Sequence, residues 1–224
     1  MQPNTSKQLP QALLTTALFI LAIAMGATIL VLTTRLSHAR TVEAGLRASL
    51  DSLQAAEKSL KEQAYFDHLT GLANRALLVD RFHLAIERSK RSRIPFAAVM
   101  IDLNSFKMIN DKHGHAAGDQ VLITIGKRLL ETVRASDTVS RLGGDEFVLI
   151  IESIDDRREL ANIGQKLIDM LAEKVPLDSG DVVSVGGSLG FALYPGDGSS
   201  MDSMLQVADQ AMYECKTSGL MPLF

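Results

Sequence analysis

A long uncharged stretch near the amino terminus constrains this chain most. No charged residue occurs between Lys7 and Arg35, and residues 12–32 are apolar except for threonine and glycine. A helix needs about 20 such residues to cross the hydrocarbon layer of a membrane, which is about 30 Å thick. The sequence therefore predicts a transmembrane helix at residues 12–34, preceded by a short non-cytoplasmic segment at residues 1–11.

Two other interpretations of this stretch fit less well. A cleaved signal peptide has an apolar core of about 7 to 15 residues followed by a small-residue cleavage site. Here the small-residue tripeptide Ala22–Ala24 lies inside the apolar run, and more apolar residues follow it. A buried helix of a soluble domain needs neither this length nor this lack of charge.

Basic residues predict the orientation of the helix. Lys7 alone precedes it, whereas Arg35, Arg40 and Arg47 follow it closely. Cytoplasmic flanks are enriched in Lys and Arg, so we expect a single-pass protein with its carboxyl-terminal part in the cytoplasm.

Residues 35–64 are predicted to continue as a coiled-coil helix. The segment has no proline. Its leucines recur at alternating steps of three and four residues and form one seam: Leu36, Leu46, Leu50, Leu53 and Leu60. Ala39 and Ala64 lie on the same seam, and Glu43 and Glu57 interrupt it. This heptad spacing favours a parallel two-helix coiled coil. The alternative is a helix that packs on its own domain.

Composition limits what residues 65–224 can be. Hydrophobic residues make up 46% of the chain and charged residues 22%, which is typical of globular proteins. Cys215 is the one cysteine, which excludes an intrachain disulfide and a cysteine-based zinc site. The formal charge of −3 gives no reason to expect a nucleic-acid partner.

Helical and strand patterns alternate along this part. The run Phe96–Leu103 is continuously apolar, which is typical of a strand buried on both faces. The turn at residues 143–146 lies between two short apolar runs and indicates a hairpin. Helices are expected at 74–93, 121–133, 158–174 and 201–216, and strands at 138–142, 147–151 and within 182–194. This order predicts an α+β fold, a mostly antiparallel sheet flanked by helices.

Carboxylates stand at two places that break local rules. Asp102 ends the apolar run, where a charge is costly unless it meets a cation, and Asp145 and Glu146 lie at the hairpin tip. If the hairpin lies beside the apolar strand, Asp102 and Asp145 can approach each other. Oxygen ligands without His or Cys favour Mg²⁺ or Mn²⁺. The alternative for Gly143–Glu146 is merely a tight turn.

A polar loop is expected after Asp102. Successive backbone N–H groups and Lys107, next to a metal site, would hold a triphosphate. Asn110 and Asp119 carry the donor and acceptor groups that a guanine edge needs.

Five motifs in order resemble the GGDEF-domain diguanylate cyclases. They are DHLTGLANR from Asp67, IDLNSFKMINDKHGHAAGDQVL from Ile101, RLGGDEF from Arg141, SLG from Ser188 and ADQAMYECK from Ala208. The resemblance implies a fold related to nucleotide cyclase and polymerase palm domains. It also implies condensation of two GTP into cyclic di-GMP and two pyrophosphates, which requires a homodimer. The predicted transmembrane helix would place this homodimer at the bacterial inner membrane.

The resemblance also implies a role for each motif residue. Asp102, the Leu103 carbonyl and Asp145 would hold two Mg²⁺ or Mn²⁺ ions per half-site, with Asp145 and Glu146 as the catalytic carboxylates. The expected substrate contacts are Asn110, His115 and Asp119 near the nucleotide, Phe106 and Lys107 in the phosphate loop, Gly143 in the turn, and Lys216 at the terminal phosphate.

The chain departs from the family pattern in two places. Leu220 stands where the family often has Arg, and Asn104 where many members have Asp. A catalytically weak or inactive domain that binds cyclic di-GMP or a partner is the alternative function, and a membrane-tethered dimerisation module is a third. The intact Asp145 and Glu146 favour the enzyme.

A feedback site is predicted just before the turn. Arg134 and Asp137 precede Gly143 by the spacing at which family members carry an R-x-x-D site for inhibitory product. The alternative is a helix-end Arg and a turn Asp.

Overall fold

The structure is a computed structural model that describes residues 9–154 and 157–218. Backbone contacts divide the chain into two units, one ending at Ser59 and the other beginning at Leu60. A single helix, α1 (Leu9–Tyr65), makes up all of the first unit that the structure describes. Most of the expected non-cytoplasmic segment, residues 1–8, and the family departure at Leu220 lie outside the described residues.

Helix α1 carries the long apolar stretch. Over an 18-residue window its mean hydropathy is 2.3, which makes it long and apolar enough to cross a membrane. Thr28 and Thr34 are compatible with that environment, because they donate their hydroxyls to the carbonyls of Ala24 and Val31. Such bonds leave no hydroxyl hydrogen without a partner in hydrocarbon. The transmembrane location and the coiled coil stay predictions.

The second unit is built on one four-stranded sheet. The strand order is β2-β3-β1-β6 and every pairing is antiparallel. The elements after α1 are α2 (Arg75–Ser92), β1 (Phe96–Asn104), α3 (Phe106–His113), α4 (His115–Thr132), β2 (Thr138–Gly143), β3 (Glu146–Ile151), α5 (Arg157–Ala172), β4 (Val175–Pro176), β5 (Val182–Val183), β6 (Gly186–Tyr194) and α6 (Met201–Ser218). The predicted α+β fold is confirmed.

Central strand β1 separates two hydrophobic cores. Its odd-numbered side chains, from Ala97 to Leu103, pack in one core with α4 and α5. Its even-numbered side chains, from Phe96 to Met100, pack in the other core with α2 and α6. Asp102 continues the even-numbered face, since side chains alternate along a strand. The end of β1 therefore presents a carboxylate on the side of the sheet that α6 covers.

The sequence interpretation missed two features. Residues 106–113, expected to be loop, form helix α3, which buries Ile109 and ends at Gly114 with a φ of 86°. One buried residue in eight gives no visible helical period, so the polar composition misled the prediction. The second feature is the separate hairpin of β4 and β5, whose strands have two residues each.

Candidate active site

The candidate site begins with two carboxylates that face each other across strands. Asp102 near the end of β1 pairs directly with Glu146 at the start of β3. Directly opposite residues in an antiparallel pair have Cβ atoms about 4.5–5.5 Å apart, and two like charges there are destabilising. Glu146 is therefore the cross-strand neighbour of Asp102.

The β2–β3 turn places Asp145 beside the same strand. Its backbone passes through Gly143 and Gly144 with φ of 147° and 55°, a region that favours glycine. The Asp145 carbonyl then accepts a hydrogen bond from the Leu103 amide at 3.2 Å. The hairpin thus lies against the end of β1.

Negative charge accumulates around Glu146. Burial raises the pKa of this carboxyl above its usual 4.5, and the nearby carboxylates of Asp102, Asp145 and Asp209 raise it further. Lys216 opposes them and lowers that pKa. The site holds more negative charge than its own lysine balances, which is the condition under which a divalent cation binds well.

Lys216 reaches the site from helix α6. Its Nζ lies 2.5 Å from Oδ1 of Asp102. Helix α6 can approach the sheet closely because Gly190 has no side chain: a Cβ there would lie 1.9 Å from the carbonyl oxygen of Ala208 and 2.4 Å from the amide nitrogen of Met212. The glycine of the SLG motif therefore allows the helix that carries Lys216 to lie close to the sheet.

The donor set suits a hard divalent cation. Asp102, the Leu103 carbonyl and Asp145 supply only oxygen ligands, which Mg²⁺ and Mn²⁺ prefer. Within residues 9–154 and 157–218, no group of three or more His, Cys, Asp or Glu side chains gathers as a ready-made metal cage. A site of two carboxylates and a carbonyl fits ions that keep waters or phosphate oxygens as further ligands.

A second group of predicted residues lies on α3 and α4. Oδ1 of Asn110 is buried and accepts no hydrogen bond from the part of the chain that the structure describes. It occupies space beside Gly118, where a Cβ would lie 1.9 Å from that oxygen and 3.2 Å from Cζ of Phe106. An unpaired buried acceptor costs about 1–3 kcal/mol, so Asn110 is suited to a ligand that donates a hydrogen bond.

The other nucleotide candidates lie on the same two helices as Asn110 and Gly118. Asp119 follows Gly118 on α4, and His115 is the first residue of that helix; both are exposed. Phe106 and Lys107 begin α3, whose N-cap Ser105 makes no capping bond with its side chain. The amide groups at this helix start are therefore not capped by that hydroxyl.

An Arg–Asp pair that the sequence interpretation did not assign braces the turn. Nε and Nη2 of Arg141 donate to the Gly144 carbonyl at 3.0 and 2.7 Å, while Nη1 contacts both carboxylate oxygens of Asp67. Thr70 donates its amide and hydroxyl to the same Asp67. Burial alone would raise the pKa of Asp67, but the bonds from Thr70 and Arg141 outweigh it and lower the pKa below 3.8.

Arg134 and Asp137 are close together but already engaged. The Asp137 carboxylate accepts from the amides of Arg134 and Glu152, at 2.9 and 3.0 Å. The Arg134 guanidinium pairs with Glu159 on α5 at 3.0 Å. This geometry suits the turn role of Asp137, and a ligand at Arg134 would have to compete with Glu159.

Three other site residues received no role from the sequence. Asp209 acts on Glu146 from α6, and buried Ser188 donates to Asn104 at 3.0 Å. Asn104, one of the two family departures, thus serves as a hydrogen-bond acceptor beside Asp102 on the same strand face. The SLG and ADQAMY motifs contained Ser188 and Asp209, but only strand and helix packing shows what they contact.

Comparison with known proteins identifies the family of the second unit. Residues 64–221 match the family described as diguanylate cyclase, GGDEF domain. The chain is 38% identical over 208 residues to the bifunctional diguanylate cyclase/cyclic di-GMP phosphodiesterase MucR of Pseudomonas aeruginosa, covering 93% of this chain and 29% of that protein. It is 38% identical over 164 residues to the diguanylate cyclase TpbB of P. aeruginosa, covering 73% and 38%. The chain thus spans less than two fifths of the length of these relatives.

Solved structures agree with this assignment. A sensory box/GGDEF family protein from Caulobacter crescentus CB15 superposes with a TM-score of 0.67 at 43% identity, covering 70% of this chain and 100% of that one. The coiled coil and GGDEF domain of DgcB from C. crescentus, in complex with c-di-GMP, superposes with a TM-score of 0.71 at 25% identity, covering 81% and 95%.

Proposed function

Because this chain belongs to the GGDEF-domain diguanylate cyclase family, we propose that it condenses two GTP molecules into cyclic di-GMP and two pyrophosphates. The observation that supports this best is the paired arrangement of Asp102 and Glu146, with Asp145 in the adjoining turn and Lys216 on Asp102. A domain that had become a binding module would not need to retain this concentration of carboxylates, whose mutual repulsion destabilises the fold.

Asp102, the Leu103 carbonyl and Asp145 would hold two Mg²⁺ or Mn²⁺ ions in each half-site. When bound, such ions neutralise phosphate charge and stabilise the attacking and leaving oxygens of an in-line displacement. The chain itself supplies no excess of positive charge, since its formal charge is −3. Metal binding by these oxygens is therefore expected to accompany the binding of the triphosphate.

Asn110 and Asp119 would recognise guanine. The N1–H and exocyclic amine of guanine are donors, and the buried Oδ1 of Asn110 lacks a donor among the described residues. Asp119, one residue beyond the glycine that makes room for Asn110, offers a second acceptor. Adenine presents a different pattern of donors and acceptors, so these oxygens favour GTP over ATP.

The phosphates would lie between α3 and α6. Phe106 and Lys107 begin α3, where amide groups and the helix dipole favour anions. Gly143 in the turn leaves room for the nucleotide, and Lys216 would contact the terminal phosphate. His115, which begins α4 directly after Gly114, would also contact the nucleotide.

Asp145 would accept the proton of the attacking 3′-hydroxyl. The 3′-oxygen of one GTP bonds to the α-phosphorus of the other, the bond to pyrophosphate breaks, and the proton passes to the carboxylate. The 3′-oxygen of the second nucleotide then bonds to the α-phosphorus of the first, its pyrophosphate leaves, and the ring closes. The negative charge of Glu146 would help to attract the metal ions to the site.

One half-site binds one GTP, so two domains must meet. The leucine seam of residues 35–64 would bring them together as a coiled-coil homodimer. Residues 12–34 would anchor this dimer as a single-pass protein of the bacterial inner membrane, with the catalytic domain in the cytoplasm. Arg134 and Asp137 would bind product and slow the enzyme.

Incubation of the purified full chain with GTP and Mg²⁺ tests the proposal. We expect a product with the mass of cyclic di-GMP and two equivalents of pyrophosphate. ATP should give no corresponding product. If cyclic di-GMP is bound but not formed by folded protein, the domain is a receptor rather than an enzyme.

A further inference from the structure

Lys216 contacts a carboxylate that the reaction needs for metal. Its Nζ lies 2.5 Å from Oδ1 of Asp102, and the Asp102 side chain is only 15% exposed. We propose that Lys216 is an internal counter-cation of Asp102 in the nucleotide-free protein, and that it leaves this carboxylate when metal and triphosphate bind together. The proposal rests on the proposed function, because it takes Asp102 as a metal ligand.

The surrounding charges explain why a counter-cation is needed. Asp102 and Glu146 face each other across β1 and β3, and Asp145 and Asp209 add negative charge at Glu146. The carboxylates of Asp102, Asp145 and Asp209 therefore act on Glu146, and Lys216 opposes them. Without metal, an ammonium on Asp102 reduces the repulsion that would otherwise act across the strand pair.

The position of Lys216 is set by helix packing. Met212, one turn earlier on α6, is buried against the sheet, and the helix backbone is in close contact with the sheet at Gly190. Residues four apart lie on the same helix face, so Lys216 projects toward the end of β1. Its side chain is 47% exposed and has a flexible four-carbon stem. The ammonium can therefore move between partners while α6 stays in place.

Two cations cannot use the same carboxylate oxygen at full strength. The Lys216–Asp102 contact should weaken the binding of a divalent ion that arrives without nucleotide. A triphosphate gives the ammonium a new anionic partner, so its arrival frees Asp102. Metal and nucleotide then favour each other's binding, and this coupling is reciprocal. Lys216 would thus limit metal occupancy in the absence of GTP.

Binding of Mn²⁺ alone to the full chain tests this inference without turnover. Wild type, Lys216→Met and Lys216→Arg are compared by isothermal titration, with Lys127→Met as the matched loss of an exposed lysine on α4. We expect Lys216→Met to bind Mn²⁺ roughly fivefold more tightly, the effect of releasing one half-exposed ion pair. Lys216→Arg and Lys127→Met should match the wild type.

Equal or weaker Mn²⁺ binding by Lys216→Met would overturn the inference, as would equal tightening in Lys127→Met. A thermal unfolding scan of each variant confirms that it is folded, and Lys216→Gln provides a second neutral replacement. The assay does not depend on product formation. Failure of Lys216→Met to bind Mn²⁺ more tightly is therefore distinct from failure of the wild type to make cyclic di-GMP.

Discussion

Arg141 bonds both carboxylate oxygens of Asp67, with Nη1 at 3.0 Å from Oδ1 and 3.1 Å from Oδ2. Both side chains are nearly buried, at 10% and 14% exposure. The same guanidinium holds the Gly144 carbonyl, so residues just after α1 are connected to the turn that carries Asp145. Displacement of the Asp67 segment would therefore move the turn that carries Asp145.

Asp67→Asn should destabilise the protein in a pH-dependent way. The pKa of Asp67 is lowered in the folded state. The ionised carboxylate therefore stabilises the fold fully above pH 3.8, and this stabilisation is lost as the pH falls through the folded pKa. We expect a loss of about 2 kcal/mol at pH 7 that shrinks toward pH 3. Urea unfolding of both proteins across this range measures the difference. Asp80→Asn, an exposed carboxylate on α2, is the control, and a loss that persists unchanged at pH 3 would refute the ion-pair account.

Gly190→Ala should weaken the fold sharply. A Cβ at this position would clash with backbone atoms of α6, which cannot rotate away as a side chain can. We expect a loss of at least about 2–3 kcal/mol, measured by urea unfolding, because either the helix or the strand must shift. At Gly196 the nearest atom to a Cβ would be 3.8 Å away, so Gly196→Ala is the matched control. Similar stability of the two variants would show that α6 does not depend on this contact.

The leucine seam should control how activity depends on concentration. Leu50→Asp with Leu53→Asp places charges on the seam, whereas Ser52→Asp with Ala55→Asp places the same charges off it. In detergent, we expect the specific activity of the seam variant to rise with protein concentration from nanomolar to micromolar, because its half-sites must collide. The off-seam variant should behave as wild type. Two flat profiles would mean that the coil is not needed for assembly.

Product feedback should depend on Arg134 and be restrained by Glu159. We expect cyclic di-GMP to inhibit the wild type at micromolar concentration and Arg134→Ala to resist it without a lower initial rate. Glu159→Gln frees the guanidinium from its 3.0 Å ion pair and should strengthen inhibition. Arg158→Ala, an exposed neighbour on α5, is the control. Identical inhibition curves for wild type and Arg134→Ala would exclude this site as the route.

Sequence patterns predicted the sheet and its helices because burial repeats along the chain. The run Phe96–Leu103 is apolar on both faces, and the structure buries it between two cores. Helix α3 could not be predicted this way, since Ile109 alone is buried in it. The spacing of apolar residues predicts a helix or strand only where a whole face of the element is buried.

Most of the site chemistry depends on strand register and packing between distant residues. Motifs indicated Asp102 and Asp145, but the pairing of Asp102 with Glu146 follows from the register between β1 and β3. Oδ1 of Asn110 occupies space that a side chain at position 118 would fill, and Gly118 lies eight residues away on the next helix. Neither relationship has a signature in a single sequence.

The initial rate of cyclic di-GMP formation by wild type and Asp145→Asn, at saturating GTP and Mg²⁺, tests the central claim most directly. The substitution keeps the shape of the side chain and removes its charge and basicity. Asp80→Asn, on the exposed surface of α2, controls for the loss of one carboxylate. We predict that Asp145→Asn lowers the rate at least ~100-fold while Asp80→Asn leaves it unchanged. An unchanged rate in folded Asp145→Asn would contradict the proposed mechanism.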